Sequence, residues 1–184
     1  MFKVAIILLF LSFYIPVNSS PKNKIISQME LTNNLSFNFI QTIKDKNENG
    51  KCIIEYPKKI FCEYNNANKK TLVSNGNSLV IKTSNKGSYY RYPLNKTPLE
   101  FLLDKEYLIS RIKALEPRNI DNKYLNFKIF ENNNEINIFF DKKSLNLIGW
   151  QTEDIYQNLS ITFISSTKKN QKIDNKVFNL PENN

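Results

Sequence analysis

The sequence predicts a mainly β protein: an incomplete, open antiparallel β-barrel of about 10–11 strands beneath an α-helical lid. Three observations carry that expectation. Apolar and polar residues alternate through much of the chain, as at Leu125, Phe127 and Ile129, at Ile136, Ile138 and Phe140, and at Leu159, Ile161 and Phe163. Short clusters of Asn, Gly, Pro and Lys, which favour turns, separate these runs. One strongly apolar helical stretch, residues 97–115, interrupts the series. Alternation gives each strand one apolar and one wet face, the pattern of an antiparallel sheet covered on one side.

In chain order, residues 1–19 read as a signal peptide. Lys3 precedes an apolar run over residues 4–17, with Pro16 near its end and small polar residues after it. That run is short for a membrane span and has the shape of a signal-peptide core, with Val17 and Ser19 at the −3 and −1 positions. The expected organisation is therefore a signal peptide, 1–19, and a single exported, soluble domain, 20–184. The first cysteine is Cys52, so no lipid acceptor lies near the cleavage point. Ile25, Ile26 and Met29 predict a short helix over 22–33. Leu35, Phe37, Phe39, Gln41 and Ile43 then share one face of the first strand; Ile40, on the other face, breaks the pattern. Further strands are expected near 50–56, 60–66, 70–74, 78–83 and 88–92, and again near 124–130, 135–141, 145–153 and 158–166.

Between the two strand series, Thr97-Pro98-Leu99-Glu100 reads as a capping box with proline at the first helical position. Leu99, Phe101, Leu102, Leu103, Leu108, Ile109, Ile112 and Leu115 follow, and Pro117 ends the helix. A curved sheet with one apolar face needs apolar cover, and this helix with the N-terminal one is expected to supply it as a lid.

Composition excludes several chemistries. The 184 residues contain no histidine and two cysteines. Imidazole bases, Ser-His-Asp or Cys-His nucleophiles and His-based metal sites are therefore ruled out, and two thiols are too few for a thiolate zinc site. No cofactor, metal or catalytic residue is expected, and no enzyme activity. The net charge is +9, yet only 3 of 26 basic residues are Arg, and Asn (28), Lys (23) and Ile (22) dominate over Ala (3). Those three abundant residues have AT-rich codons, so the charge reads as coding bias on a solvated surface rather than a nucleic-acid footprint. Asp154 and Asp174 lie in turn-rich stretches and read as turn formers.

Cys52 and Cys62 bracket a hairpin turning at Tyr56-Pro57-Lys58, in which residues 55/59, 54/60, 53/61 and 52/62 face one another. Either a cross-strand disulfide or two buried thiols acting as small hydrophobes satisfies this placement.

A set of ordered motifs resembles the LolA family, periplasmic carriers that ferry lipoproteins between the two membranes of Gram-negative bacteria. The motifs are Phe37-x-Phe39-x-Gln41; Gly50 with Pro57; Leu72-Val73-Ser74-Asn75-Gly76 before Leu79; Thr97-Pro98-Leu99-x-Phe101-Leu102-Leu103; Trp150 with Asp154, Thr162 and Phe163; and Ile173-Asp174 with Phe178 and Pro181. Three positions depart from the family pattern. Tyr56 stands where a basic, lid-latching residue is usual, Cys62 where an aromatic is usual, and Asn158 where glycine is frequent.

The resemblance implies an apolar cavity under the lid that takes lipoprotein acyl chains. The implied acyl-contact residues are Leu35, Phe37, Phe39, Ile43, Ile54, Ile60, Leu99, Phe101, Leu102 and Leu103. It further implies a periplasmic monomer that receives cargo from an inner-membrane ABC transporter and delivers it to an outer-membrane acceptor. A carrier of phospholipid or glycolipid on the same fold is the rival expectation.

Overall fold

The computed structural model describes residues 19–83, 87–131, 134–154 and 157–182; the expected signal segment, apart from Ser19, lies outside the described residues. Among these, eleven strands form one antiparallel sheet. Helix α1 (Pro21–Glu30) comes first, with Pro21 in the first turn and the Ser20 hydroxyl accepting a bond from the Asn23 N–H. Strands β1 (Asn34–Ile43), β2 (Lys46–Glu55), β3 (Lys59–Tyr64), β4 (Thr71–Asn75), β5 (Ser78–Lys82) and β6 (Tyr89–Pro93) follow as a meander. Helices α2 (Leu99–Leu102) and α3 (Lys105–Ala114) come next. Strands β7 (Arg118–Ile120), β8 (Tyr124–Glu131), β9 (Asn134–Asp141), β10 (Leu147–Glu153) and β11 (Leu159–Lys169) complete the sheet. No described helix is long and apolar enough to cross a membrane.

Strand order is β6-β5-β4-β3-β2-β1-β11-β10-β9-β8-β7. Each meander pairs only with its chain neighbours, and β11 joins β1 where the two halves meet. The order leaves β6 and β7 as opposite edges that do not pair, so the barrel is open. The helices lie in the chain between those two edges. Residues on the inner face of β1 to β5 and of β8 to β11, from Leu79 to Leu125, belong to one buried apolar cluster with residues of all three helices. A flat sheet of this width could not bring those residues into one cluster; the sheet is curled around it.

The alternation expected for β1 holds. Leu35, Phe37 and Phe39 are buried, whereas Ile40 is exposed on the outer face opposite Phe163. The hairpin pairs Cys52 with Cys62 and Ile54 with Ile60, and the two cysteines form a disulfide. Two glycines let strands approach more closely than a side chain would allow. A Cβ on Gly50 would lie 2.0 Å from the Glu63 carbonyl oxygen, and one on Gly149 would lie 2.2 Å from that of Thr162. Gly149 also marks a register slip between β10 and β9. Such slips bend a strand and increase its twist, as curling the sheet requires.

Some boundaries differ from expectation. Strand β2 begins at Lys46 rather than near 50, because its polar first half pairs with the outer end of β1. Strand β7 was not anticipated; three residues, Arg-Asn-Ile, are too few to show alternation. The single expected helix over 97–115 is two helices.

Two stability outcomes follow from this geometry. Gly50→Ala should lower unfolding free energy by about 3 kcal/mol, because a methyl group must displace backbone. Reducing the disulfide, which links residues separated by 10 in sequence, should cost about 2.7 kcal/mol by loop entropy. Urea midpoints of the variant, and of the native protein with and without reductant, measure both.

Candidate functional site

The helix break sits at Leu103-Asp104. Asp104 has extended backbone, and its Oδ1 accepts from the Tyr107 N–H at 3.0 Å, so it caps α3. The expected capping role of Thr97 is corrected by the same local chemistry. Its hydroxyl donates to the Leu94 carbonyl at 2.8 Å and closes the preceding 3-10 turn, leaving Pro98 at the α2 N-cap. Leu102, Leu103, Leu108, Ile109 and Ile112 are buried against the sheet and α1.

The β2–β3 turn holds α2 down. The Lys58 backbone N–H donates to the Leu103 carbonyl at 2.8 Å. The Lys58 ammonium lies 3.2 Å from Glu100 Oε1 and 3.5 Å from Asp104 Oδ2, so it bridges the two lid helices. The turn is itself anchored, because the fully buried Ser74 hydroxyl donates to the Lys58 carbonyl at 2.9 Å. Tyr56, at the position where the family pattern has a cation, packs against the core instead, and burial pushes its phenol up to about 12. The cation that reaches the helices is Lys58, two residues further along the chain. The sequence reading placed Lys58 among solvated surface lysines. The available signal was the pair of acids four residues apart, Glu100 and Asp104, beside a turn lysine.

Under the lid lies a chamber of about 380 Å³, within the roughly 300–1,000 Å³ range of ligand pockets. Its apolar part is formed by Phe39, Ile43, Ile60, Leu79, Leu99 and the disulfide. A smaller space of about 60 Å³ lies beneath α1 and α3, bounded by Leu35, Ile54, Leu102 and Trp150. Ile54 and Ile60 are cross-strand partners, so the two spaces adjoin on one inner face, with α2 over the divide. Of the ten candidate acyl contacts, seven line one space or the other. The remaining three pack elsewhere: Phe37 stands edge-on to Trp150 at 6.0 Å, Phe101 stacks on Tyr107 at 5.1 Å, and Leu103 is buried. Asp154 accepts from the Asn158 N–H at 2.8 Å and Asp174 caps the 3-10 turn over 175–178, both acting as turn formers.

The sequence reading missed a polar sector of the chamber wall. Tyr64, Thr152, Ser160 and Thr162 join Gln41 there, at the end away from the Tyr56–Lys58 turn. Gln41 accepts from the Tyr64 hydroxyl at 3.3 Å and donates to Ser160 at 3.1 Å and Thr162 at 3.4 Å. Period-two reading marks these positions as inward, but it does not show which inward polar residues converge.

An open antiparallel sheet curled around an apolar chamber and closed by latched helices defines an open-barrel protein with a covered cavity. Residues 30–181 match the family model of the outer membrane lipoprotein carrier protein LolA, and the chain belongs to the LolA family. Among solved structures, an uncharacterized conserved protein from Thermus thermophilus shares the fold, with a TM-score of 0.51 and 7% identity, covering 89% of this chain and 96% of that one. A LolA superfamily protein from Nitrosomonas europaea aligns with a TM-score of 0.47 and 10% identity, over 88% of this chain and 99% of that one. No curated protein sequence matches the chain.

Lys58→Gln should weaken the latch. The pair is partly solvated, so the expected effect is about 0.5–1 kcal/mol, read as two- to fivefold faster amide exchange in α2. The hydrogen bond to Glu100 holds the Lys58 ammonium above its ordinary range. Its contribution is therefore present at neutral pH and is lost as pH rises through that raised value.

Proposed function

We propose that this protein is a periplasmic chaperone that shields the acyl chains of lipoproteins between an inner-membrane ABC transporter and an outer-membrane acceptor. The observation that carries the reading is the apolar chamber under a latched lid, in a chain of the LolA family. Each methylene left in water costs about 0.8 kcal/mol, so a sixteen-carbon chain costs roughly 12 kcal/mol to expose. Shielding by apolar area alone meets that need without bond chemistry, in keeping with a chain that has no histidine.

The closed chamber holds the volume of about a dozen waters at ~30 Å³ each. A methylene takes similar room, so the closed form accommodates one chain of modest length. Cargo with several chains requires α2 to rise, which would merge the large chamber with the small space beneath α1. Lifting the lid exposes Leu102 and Leu103 and breaks the Lys58 bridge. The empty, closed protein is then the stable form and the loaded one is metastable, which favours delivery without nucleotide hydrolysis at the carrier.

Leu102→Glu should reduce retention of a triacylated lipoprotein in native gels at least tenfold. The same change at Leu31, which is 75% exposed, should leave retention unchanged. Thermal melts of both variants check the fold. Depleting the protein in its host should leave lipoproteins in the inner membrane. Co-purification of phospholipid alone, without acyl-dependent lipoprotein binding, would overturn the reading.

A further inference from the structure

We infer that the polar end of the chamber is a binding site for the carbonyl groups that join acyl chains to their head: ester or amide oxygens, held by hydroxyl donors on β10 and β11. The inference rests on the carrier reading and specifies which part of the cargo is recognised there.

The inner face of this sheet is apolar over most of its extent, and burying unpaired polar groups in it is unfavourable. Gln41, Tyr64, Thr152, Ser160 and Thr162 nonetheless converge at one end of the chamber. Gln41 faces Thr162 across the β1–β11 seam, and Thr152 faces Ser160 across β10–β11. Thr152, Ser160 and Thr162 are each more than nine-tenths buried. Gln41 links Ser160, Thr162 and Tyr64 by hydrogen bonds. The Gln41 amide nitrogen can only donate, and it donates to both the Ser160 and Thr162 hydroxyls. Both hydroxyls therefore act as acceptors, and each retains its own proton as a donor. The Tyr64 phenol, kept protonated by burial, spends its proton on the Gln41 carbonyl. The Thr152 hydroxyl lies in the same chamber wall and adds a further O–H donor.

The wall thus presents three O–H donors, while the Gln41 carbonyl is already engaged by Tyr64. A ligand acceptor atom, such as a carbonyl oxygen, can take these donors. The surrounding charge selects among acceptors. Lys70, the cation at this end, is bridged to Glu48 and lies 3.8 Å over the Tyr64 ring, and Glu153 and Asp154 also line the chamber. An anionic phosphate would meet two carboxylates and a lysine already neutralised. A neutral carbonyl carries no charge for those carboxylates to repel and can accept from the hydroxyls. The opposite end, at Ile60, Leu79 and Leu99, is apolar. The chamber is therefore polarised for an alkyl chain that ends in a neutral carbonyl, the chemistry of an acyl ester or amide.

The test compares two synthetic glyceryl-cysteinyl lipopeptides of equal chain length, one diacyl (ester-linked) and one dialkyl (ether-linked), the latter lacking both carbonyls. Native protein should bind the ester-linked peptide five- to tenfold more tightly. The double variant Thr152→Val and Ser160→Ala, which keeps side-chain bulk while removing two donors, should bind both peptides alike, with affinity for the ether-linked peptide unchanged. That unchanged affinity also shows that the variant is folded. Equal binding of both peptides by native protein, or a preference that survives in the variant, overturns the inference and leaves the carrier reading intact. Failure of native protein to bind either peptide overturns both.

Discussion

The seat of α2 on the turn between β2 and β3 is the contact on which the remaining architecture depends. The apolar inner face of the sheet must be covered, and the chain supplies the cover between its two unpaired edges, β6 and β7. A backbone hydrogen bond from Lys58 to Leu103 and an ion pair from the same residue to Glu100 and Asp104 hold it in place. The backbone bond sets the position of α2, and the ammonium couples α2 to the cap of α3. Burial of Leu102, Leu103, Leu108 and Ile112 contributes far more free energy than the ion pair, since each buried side chain is worth about 1.5–3 kcal/mol and the pair about 1 or less. The latch therefore selects the closed geometry, and apolar area stabilises it.

The same economy governs the seam where the chain's two halves meet. Strand β11 pairs with β1, and Asn170, just beyond β11, closes the joint. Its side chain accepts from the Asn33 N–H at 2.7 Å and donates to the Leu31 carbonyl at 2.8 Å, tying α1 to the end of the sheet. From there the C-terminal segment crosses the outer face of β3 and β4. Phe178 is buried there, the Lys59 ammonium lies 5.6 Å over its ring, and Val73 and Val80 are likewise buried outside the inner cluster. Covering this part of the outer face leaves the inner side free for the chamber and still satisfies the apolar residues that point outward.

Much of this was readable in the chain. Period two in Leu35, Phe37 and Phe39 identifies the inner face of β1, and counting residues around the Tyr56-Pro57-Lys58 turn places Cys52 opposite Cys62, where the disulfide forms. The helical cover was visible as a stretch apolar over more than a narrow stripe, from Leu99 to Leu115. Its division was not, because Asp104 resembles an ordinary polar residue within a helix until its carboxylate is found on the Tyr107 N–H. Nor was the latch. Lys58 and Glu100 are separated by 42 residues, and no periodicity connects a turn lysine to a helix acid at that distance. Gln41 stood out as the one polar residue on an apolar strand face, but Thr152, Ser160 and Thr162 acquired meaning only when register brought them beside it.

What the sequence determined alone was therefore local and repetitive: which residues alternate, where turns fall, which face of each strand is apolar, and which chemistries an absence of histidine removes. These depend on neighbours within a few residues, where backbone geometry makes spacing equivalent to direction. The tertiary structure decided the width of the opening between β6 and β7, the residue that latches the lid, and the convergence of hydroxyls on one end of an apolar chamber. Each of these requires residues tens of positions apart to meet, and their meeting is set by strand register and sheet curvature rather than by any pattern along the chain.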